Sequence, residues 1–270
     1  MSRVSEAFER ASRERRAVFI AYLTAGDPSP EATPGLARAL DRAGVDVLEL
    51  GVPFSDPIAD GPVLQRAAER ALEAGTTLSG VFRMARRIRE ETSLALVLFS
   101  YVNPLLRRGI AATAREAAAA GFDAVLVTDL PPEEAREYQP AFRSSGLDTI
   151  FLVSPTSPPA RMSAAAKLSS GFLYVVSRPG TTGARRELPR DLPQTIARAR
   201  RAARNLPVAV GFGIATPAAV HQAARLADGV VVGSAIVAEA ERSAAEREAA
   251  VERFAHPLRE ACARGTADSR

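Results

Sequence analysis

The chain has 270 residues, of which 47% are hydrophobic and 24% charged, and it contains a single cysteine. This balance is typical of one globular domain whose core needs neither disulfide nor metal support, and a lone thiol favours a reducing compartment. The charged N-terminus leaves no room for a signal peptide, and no apolar run approaches the roughly 20 residues of a membrane span. We therefore expect a soluble, cytoplasmic protein.

The chain carries 35 basic and 31 acidic residues, for a net charge of +4. A basic protein can bind nucleic acid, but the basic residues here are scattered. The densest run, Arg198 to Arg204, lies on a helix-like stretch without interleaved aromatic residues. That pattern favours a solvated helix face over a nucleic-acid surface. The small positive excess still favours an anionic substrate.

Eight short apolar runs, rich in β-branched residues, recur along the chain. They are Val18 to Thr24, Val45 to Leu50, Leu94 to Phe99, Ala124 to Val127, Thr149 to Val153, Phe172 to Val176, Pro207 to Val210 and Val230 to Val232. Continuous apolar runs are typical of strands that are buried on both faces, and stretches of helical composition separate them. Such repeats predict parallel strands joined by right-handed crossovers.

Glycines and prolines mark the joins between these elements. Several helix-like segments end in a glycine, which we expect to adopt the left-handed conformation, and many helices are predicted to begin at or near a proline. The glycines are Gly44, Gly121, Gly146, Gly171 and Gly229, and the prolines are Pro30, Pro132, Pro159, Pro193 and Pro217.

The competing architecture is a doubly wound open sheet. Such a sheet has a glycine-rich fingerprint after its first strand, whereas this chain continues there as Thr24-Ala25-Gly26-Asp27-Pro28. We therefore predict the α/β class, with a single (β/α)8 TIM barrel over residues 1–263. Val4 to Arg16 is predicted to form an extra N-terminal helix over one end of the barrel. Gly51 to Ser93 is predicted to form an insertion with a loop and two helices, and residues 264–270 a disordered polar tail.

The loop after the second strand carries the first candidates for chemistry. Glu49 lies between Leu48 and Leu50 in an apolar run, where an acid is rarely structural unless it is paired. The residues alone leave two interpretations open: an ion pair with an arginine across the barrel, or a desolvated general acid/base with a raised pKa. The following loop adds Asp56 and Asp60, and two carboxylates that converge on one ligand suit acid/base work.

Three further loops are candidates for binding. The long polar segment after the sixth strand, Ser177 to Glu187, is equally typical of a mobile lid and of an exposed loop without a task. Small residues follow the seventh and eighth strands in Gly211-Phe212-Gly213-Ile214 and Gly233-Ser234-Ala235-Ile236. A helix that begins at Ser234 would direct its positive end to an anion. Barrels often bind phosphate between these two loops, which favours a phosphate site over plain turns.

The remaining reactive side chains do not indicate a metal or covalent centre. His221 and His256 lie far apart on helical stretches, and Cys262 has no histidine nearby in sequence. Lys167 is the only lysine, and it lies on a predicted helix rather than after a strand. This pattern argues against a metal site and against a Schiff base, and it leaves acid/base chemistry.

Five segments together resemble the tryptophan synthase alpha chain family. They are Ala21 to Pro28, Glu49 to Pro57 with Ala59 to Pro62, Tyr174 to Arg178 with Gly180 to Gly183, Gly211 to Ile214, and Gly233 to Val237. Their order and spacing match the family from Val4 to about Cys262, and the loop after the second strand is the most specific of them. The resemblance implies a cytosolic lyase that cleaves indole-3-glycerol phosphate into indole and glyceraldehyde 3-phosphate.

The resemblance also implies a role for each matching position. Glu49 would exchange protons with the indole ring carbon and the glycerol hydroxyl, Asp60 would accept a hydrogen bond from the indole N–H, and Tyr174 would line the reacting centre. Thr182 would orient Asp60 when the lid closes. The residues expected to surround the indole are Tyr22, Phe99, Tyr101, Leu126, Thr128 and Leu152, and those expected to hold the phosphate are Gly183, Phe212, Gly213, Gly233 and Ser234.

The family's alpha chain works with a beta chain in an α2β2 heterotetramer. The resemblance therefore implies that partner, with no cofactor in this chain and pyridoxal phosphate in the beta chain. The loop at Asp56-Pro57 and the Asn103-Pro104 region would face it.

Three other functions stay open: a stand-alone indole-releasing lyase, a non-catalytic activator of the beta chain, and another phosphate-binding barrel such as a sugar-phosphate isomerase. The presence of Glu49, Asp60 and Thr182 argues against a pure activator, which needs no acid pair. An isomerase would explain the glycines but not the loop after the second strand.

Overall fold

A closed barrel of eight parallel strands forms the centre of the molecule, and β1 pairs with β8 to close it. The computed structural model describes residues 2–177, 188–211 and 213–264. The strands are β1 (Val18–Thr24), β2 (Val47–Gly51), β3 (Ala95–Ser100), β4 (Ala124–Val127), β5 (Asp148–Val153), β6 (Leu173–Val176), β7 (Val208–Gly211) and β8 (Gly229–Val232). The prediction of a TIM barrel is confirmed, and the open-sheet alternative is wrong.

Helices cover the outside of the barrel and connect its strands. They are α1 (Arg3–Arg13), α2 (Ala32–Arg42), α3 (Pro62–Glu73), α4 (Leu78–Glu91), α5 (Val102–Arg108), α6 (Ile110–Ala119), α7 (Pro132–Ser144), α8 (Pro159–Leu168), α9 (Leu192–Ala203), α10 (Pro217–Ala224), α11 (Ser234–Arg242) and α12 (Arg247–Glu260). The extra N-terminal helix is α1, and the insertion after the second strand holds α3 and α4, as predicted.

The glycines that were predicted to end helices fall into two groups with different backbone conformations. Gly44, Gly121 and Gly146 end helices with φ between 80° and 92°, which is the conformation expected of them. The expectation is wrong for Gly171 and Gly229, because neither has a positive φ. At Gly229 the absence of a side chain leaves space for α1, because a Cβ there would lie 3.2 Å from the Phe8 ring. A Cβ on Gly171 would lie 3.4 Å from Val4, which is an ordinary van der Waals contact.

The barrel interior forms its own apolar core, and α1 closes the lower end of it. Side chains alternate along each strand, so that every second residue points inward. On α1, Val4, Ala7, Phe8 and Ala11 are buried, and the Phe8 ring lies 5.5 Å from that of Phe172 in the barrel. The larger core cluster lies between the barrel and the surrounding helices.

Aspartates fasten the strands at this lower end in a repeating arrangement. Asp46, Asp123 and Asp228 stand just before β2, β4 and β8, and each accepts a hydrogen bond from a backbone N–H at the start of the preceding strand. Each also binds an arginine. The Arg16–Asp46 pair is the most buried of these, with both side chains at most 5% exposed and two N–O distances of 2.6 and 2.8 Å.

The arginine-rich segment of α9 contacts the backbone at both ends of the barrel. Arg198 donates to two backbone carbonyls of the loop before α8, and Arg200 donates to Leu226 and Asp228. Part of this run is therefore structural, which the expectation of a fully solvated face did not anticipate. Cys262 is buried and donates weakly to Leu258, and burial raises the pKa of its thiol to about 12, so the thiol is unreactive.

The described residues contain neither a membrane-spanning helix nor a cluster of metal-binding side chains. None of these helices has both the length and the apolar character that crossing a membrane requires. No three of the histidine, cysteine, aspartate and glutamate side chains in residues 2–177, 188–211 and 213–264 are grouped closely enough to hold a metal ion.

The Asp46→Ala variant should lose about 3 to 5 kcal/mol of unfolding free energy, because it leaves the Arg16 guanidinium buried without its main partner. Urea denaturation measures this change. Glu252→Ala is the control, since it removes an exposed ion pair with Arg42 and should cost at most about 1 kcal/mol. Equal losses in the two variants would show that the buried pair does not hold the lower end together.

Candidate active site

The functional candidates meet at the opposite end of the barrel, where the strands end. A cavity that opens to solvent lies there. The residues that line it come from loops and strand ends around the whole barrel: Tyr22, Glu49, Ala59, Asp60, Leu64, Phe99, Thr128, Leu152, Tyr174, Gly213, Val231, Gly233 and Ser234.

Glu49 projects into this cavity from the wall of the barrel. It lies on β2 opposite Tyr22 of β1 and Val97 of β3, and its side chain is 1% exposed. Its Oε1 atom has no hydrogen-bond partner among the described residues. Burial raises the pKa of this carboxyl to about 8. The geometry therefore supports a desolvated acid, and the described part of the chain offers no arginine bridge.

Asp60 reaches the cavity from the loop that follows β2. Its backbone N–H donates to Pro57, and its carbonyl oxygen accepts from the Gln65 side chain at 2.9 Å. Burial raises the pKa of its carboxyl to about 6, while a hydrogen bond from Tyr101 opposes that rise. The Tyr101 hydroxyl also accepts from the Ala59 N–H at 3.0 Å, so one side chain orients both the loop and its carboxylate.

The two acids therefore have separated pKa values on one cavity. Between about pH 6 and pH 8, Glu49 is protonated and Asp60 is ionised. A pair in these states can donate a proton at one point of a ligand and stabilise positive charge at another.

Two tyrosines, each packed against a glycine of the neighbouring strand, form part of the cavity wall. Tyr22 lies on β1 against Gly51 of β2, and Tyr174 lies on β6 against Gly211 of β7; a Cβ on either glycine would overlap the neighbouring tyrosine ring. Tyr22 also meets Phe99 edge to face, with ring centroids 5.1 Å apart. The strands thus require glycine where the aromatic rings turn into the cavity.

The N-terminus of α11 borders the cavity on the side away from β4. Gly233 precedes this helix without a side-chain cap, and Ser234 is its first residue. The first N–H groups of a helix have no partners within the helix and attract anions. Gly213, with φ of 84°, adds a tight turn of the neighbouring loop.

The structure brings most of the sequence-predicted site residues together. Ten line the cavity, namely Tyr22, Glu49, Asp60, Phe99, Thr128, Leu152, Tyr174, Gly213, Gly233 and Ser234. Tyr101 stands behind Asp60, and Leu126 lies deeper in the apolar interior of the barrel rather than on the cavity wall. Thr182, Gly183 and Phe212 lie outside the described residues. The mobile-lid interpretation of the loop after the sixth strand likewise falls on residues outside them.

Three lining residues were missed by the sequence analysis: Ala59, Leu64 and Val231. Ala59 adjoins Asp60 and was part of the recognised loop segment. Val231 was assigned only to a strand, and its inward direction follows from the alternation along β8. The sequence does not single out Leu64, because this residue reaches the cavity only when α3 packs over the open end of the barrel.

Comparisons with known proteins identify the family. The family model described as tryptophan synthase alpha chain matches residues 8–264. A tryptophan synthase alpha chain from Solibacter usitatus is 51% identical over 261 residues, which cover 96% of this chain and 97% of the relative. The chain belongs to the tryptophan synthase alpha chain family.

Solved structures of the family share the fold over nearly the whole chain. A chain in a structure of tryptophan synthase from Mycobacterium tuberculosis superposes with a TM-score of 0.90 at 36% identity, covering 98% of this chain and 99% of that one. The tryptophan synthase alpha chain from Legionella pneumophila gives 0.87 at 37% identity, with 97% of both chains covered. Alpha chains of this family catalyse the lyase half-reaction, cleavage of indole-3-glycerol phosphate.

The contact between Gly211 and Tyr174 leads to a prediction. Gly211→Ala should lower kcat/KM for indole-3-glycerol phosphate at least ~10-fold, because the added methyl group displaces a ring from the cavity wall and misplaced groups lose rate steeply. Steady-state indole release measures it. The control is Gly80→Ala, a helical position whose added methyl meets nothing nearer than 3.6 Å. Unchanged activity in Gly211→Ala would contradict this account of the tyrosine.

Proposed function

We propose that this chain cleaves indole-3-glycerol phosphate to indole and glyceraldehyde 3-phosphate with Glu49 as the acid/base. The observation that supports the role of Glu49 most directly is a buried carboxyl in the barrel wall whose Oε1 atom has no hydrogen-bond partner among the described residues, on the same cavity as Asp60. Burial raises the pKa of Glu49 to about 8 and that of Asp60 to about 6. Membership of the family supports the substrate and the reaction.

The first step uses the proton that burial keeps on Glu49. Indole is a poor leaving group as a carbanion, but protonation of its C3 atom gives an indoleninium cation, which accepts the electrons of the breaking bond. Asp60 accepts a hydrogen bond from the ring N–H and stabilises the positive charge that develops there. The apolar surroundings of Glu49 keep its carboxyl protonated at neutral pH, so that a proton is available for the ring carbon.

The second step gives Glu49 a new proton. The Glu49 carboxylate removes the proton of the hydroxyl on the carbon attached to the ring, the carbon–carbon bond breaks, and its electrons restore the aromatic indole. The aldehyde is released, and Glu49 is protonated again for the next turnover. Tyr22, Phe99, Tyr101, Thr128, Leu152 and Tyr174, with Leu126 deeper in the barrel, are proposed to surround the indole.

The phosphate is proposed to bind at the N-terminus of α11. Gly213, Gly233 and Ser234 support this placement, because small residues let backbone N–H groups reach an anion. Gly183 and Phe212 are proposed to complete the site, and Thr182 is proposed to orient Asp60. Binding energy from the phosphate, remote from the bond that breaks, holds the substrate in place for the proton transfers.

The partner is proposed to be a tryptophan synthase beta chain in an α2β2 assembly, and the compartment the cytoplasm. Two large apolar side chains that follow neighbouring strands support a docking surface: Ile58 in the loop after β2, at 80% exposure, and Leu106 on α5 after β3, at 45%. Both are close in sequence to the expected contact segments, Asp56-Pro57 and Asn103-Pro104. Alpha chains of this family carry no cofactor, and the pyridoxal phosphate belongs to the beta chain.

The central test is release of indole from indole-3-glycerol phosphate, with and without a beta chain. The Glu49→Gln variant should lose at least ~100-fold in kcat, because a positioned acid/base contributes that much. Glu137→Gln, the same change on an exposed helix position, should leave kcat unchanged. A folded Glu49→Gln enzyme with near parental turnover would rule out the assignment.

The same assay separates the alternatives. Activity that never rises with a beta chain, together with separate elution of the two chains, would indicate a stand-alone lyase. Stimulation of the beta chain without indole release would indicate an activator.

The pH dependence of kcat/KM should be bell-shaped, with limbs near pH 6 and pH 8. Below the lower limb Asp60 gains a proton and no longer stabilises the cation; above the upper limb Glu49 loses the proton that it must donate. Asp60→Asn should remove the acidic limb and keep the alkaline one. Limbs that stay in place in this variant would contradict the assignment of the lower pKa to Asp60.

A further inference from the structure

Two helices begin at opposite ends of the proposed ligand. α3 begins at Pro62, directly after the Asp60-Gly61 segment, and α11 begins at Ser234, where the phosphate is proposed to bind. The distance between Asp60 and Ser234 therefore depends on how these two helices are held against each other. The two helices are in contact.

Arg70, roughly two turns along α3, makes the polar connection between them. Its Nε and Nη2 atoms donate to the two carboxylate oxygens of Asp27 at 2.8 and 2.9 Å. Its Nη1 atom donates to Oε1 of Glu241 on α11 at 2.8 Å. Arg66 adds a longer contact of 3.3 Å to the other oxygen of Glu241.

This connection differs from the other ion pairs on the surface of the barrel. Asp27 is only 7% exposed and lies in the loop after β1, next to the strand that carries Tyr22. A two-point contact with a buried carboxylate fixes the orientation of the guanidinium plane, which a single exposed pair does not. This fixed orientation directs Nη1 towards Glu241 of α11. Arg70 therefore connects three segments: α3, the loop after β1 and α11.

We infer that Arg70 is a positioning residue: by bridging Asp27 and Glu241, it sets the separation between Asp60 and the N-terminus of α11. The inference rests on the proposed function of the site. Arg70 does not line the cavity, so its effect on a ligand passes through α3 and α11.

A separation of this kind affects whole ligands and fragments differently. A molecule that has both an indole and a phosphate must fit the spacing between the two ends, because its own bonds fix its length. A fragment that occupies one end feels no such constraint, since each end keeps its local geometry. Loss of Arg70 should therefore weaken the joined ligand and leave the fragments nearly unaffected.

The test uses three probes on the full chain: glycerol 3-phosphate for the phosphate end, indole for the apolar end, and 3-indolepropyl phosphate as a joined ligand that lacks the hydroxyl groups needed for cleavage. Isothermal titration gives their Kd values, and steady-state indole release gives kcat and KM. The variants are Arg70→Met, which removes the contacts of Arg70 with Asp27 and Glu241, and Glu241→Gln, which weakens only the connection to α11. Glu252→Gln is the matched control, because it removes the charge of a comparable pair between α2 and α12.

In Arg70→Met we expect the Kd of the joined ligand to rise at least ~10-fold and kcat to fall by a similar factor, with the Kd of each fragment changed by less than about twofold. Glu241→Gln should change the same quantities in the same direction by a smaller factor, and Arg70→Lys should recover part of the loss. Glu252→Gln should match the parent.

Equal weakening of fragments and joined ligand would overturn the inference, because it would indicate general damage to the fold. A joined ligand bound as well by Arg70→Met as by the parent would overturn it too, whatever happens to Tm. Failure of the proposed function has a separate signature: the parent enzyme itself would release no indole.

Discussion

Removal of one carboxyl group from water is the constraint on which the chemistry of this barrel depends. Glu49 lies in the wall between apolar strands, and no described partner stabilises its charge. Its proton is therefore retained at neutral pH. In solution the same side chain would be ionised and could not donate to carbon. The closed sheet supplies this environment because its interior excludes water on every side except the mouth.

The two ends of the barrel carry different tasks. At the lower end, Asp46, Asp123 and Asp228 fasten neighbouring strands with backbone and arginine contacts, and α1 covers the apolar interior. At the upper end, Glu49 has no such compensating contact among the described residues. Burial of Glu49 has a desolvation cost, which packing in the rest of the barrel must offset. This division agrees with the general rule for the fold, in which loops after the strands hold the function.

Fold class and most of the site were accessible from the residues alone, for identifiable reasons. The strands are continuous apolar runs, so β1 and β4 were predicted to the residue. Glu49 was visible because an acid interrupts such a run. Its protonation state could not be predicted, because the sequence was equally compatible with an ion pair between Glu49 and an arginine across the barrel. Gly171 and Gly229 were assigned to left-handed helix ends, because the sequence does not show that α1 packs against them.

The sequence by itself determined the order of strands and helices, the acids on the second βα unit and the family, because periodicity and short motifs are local properties of the chain. Only the tertiary structure decided which side chains share a cavity, the pKa values of Glu49 and Asp60, the placement of Leu126 below the site, and the bridge from Arg70 to Asp27 and Glu241. These depend on distances between residues far apart in sequence, and closure of the barrel sets those distances.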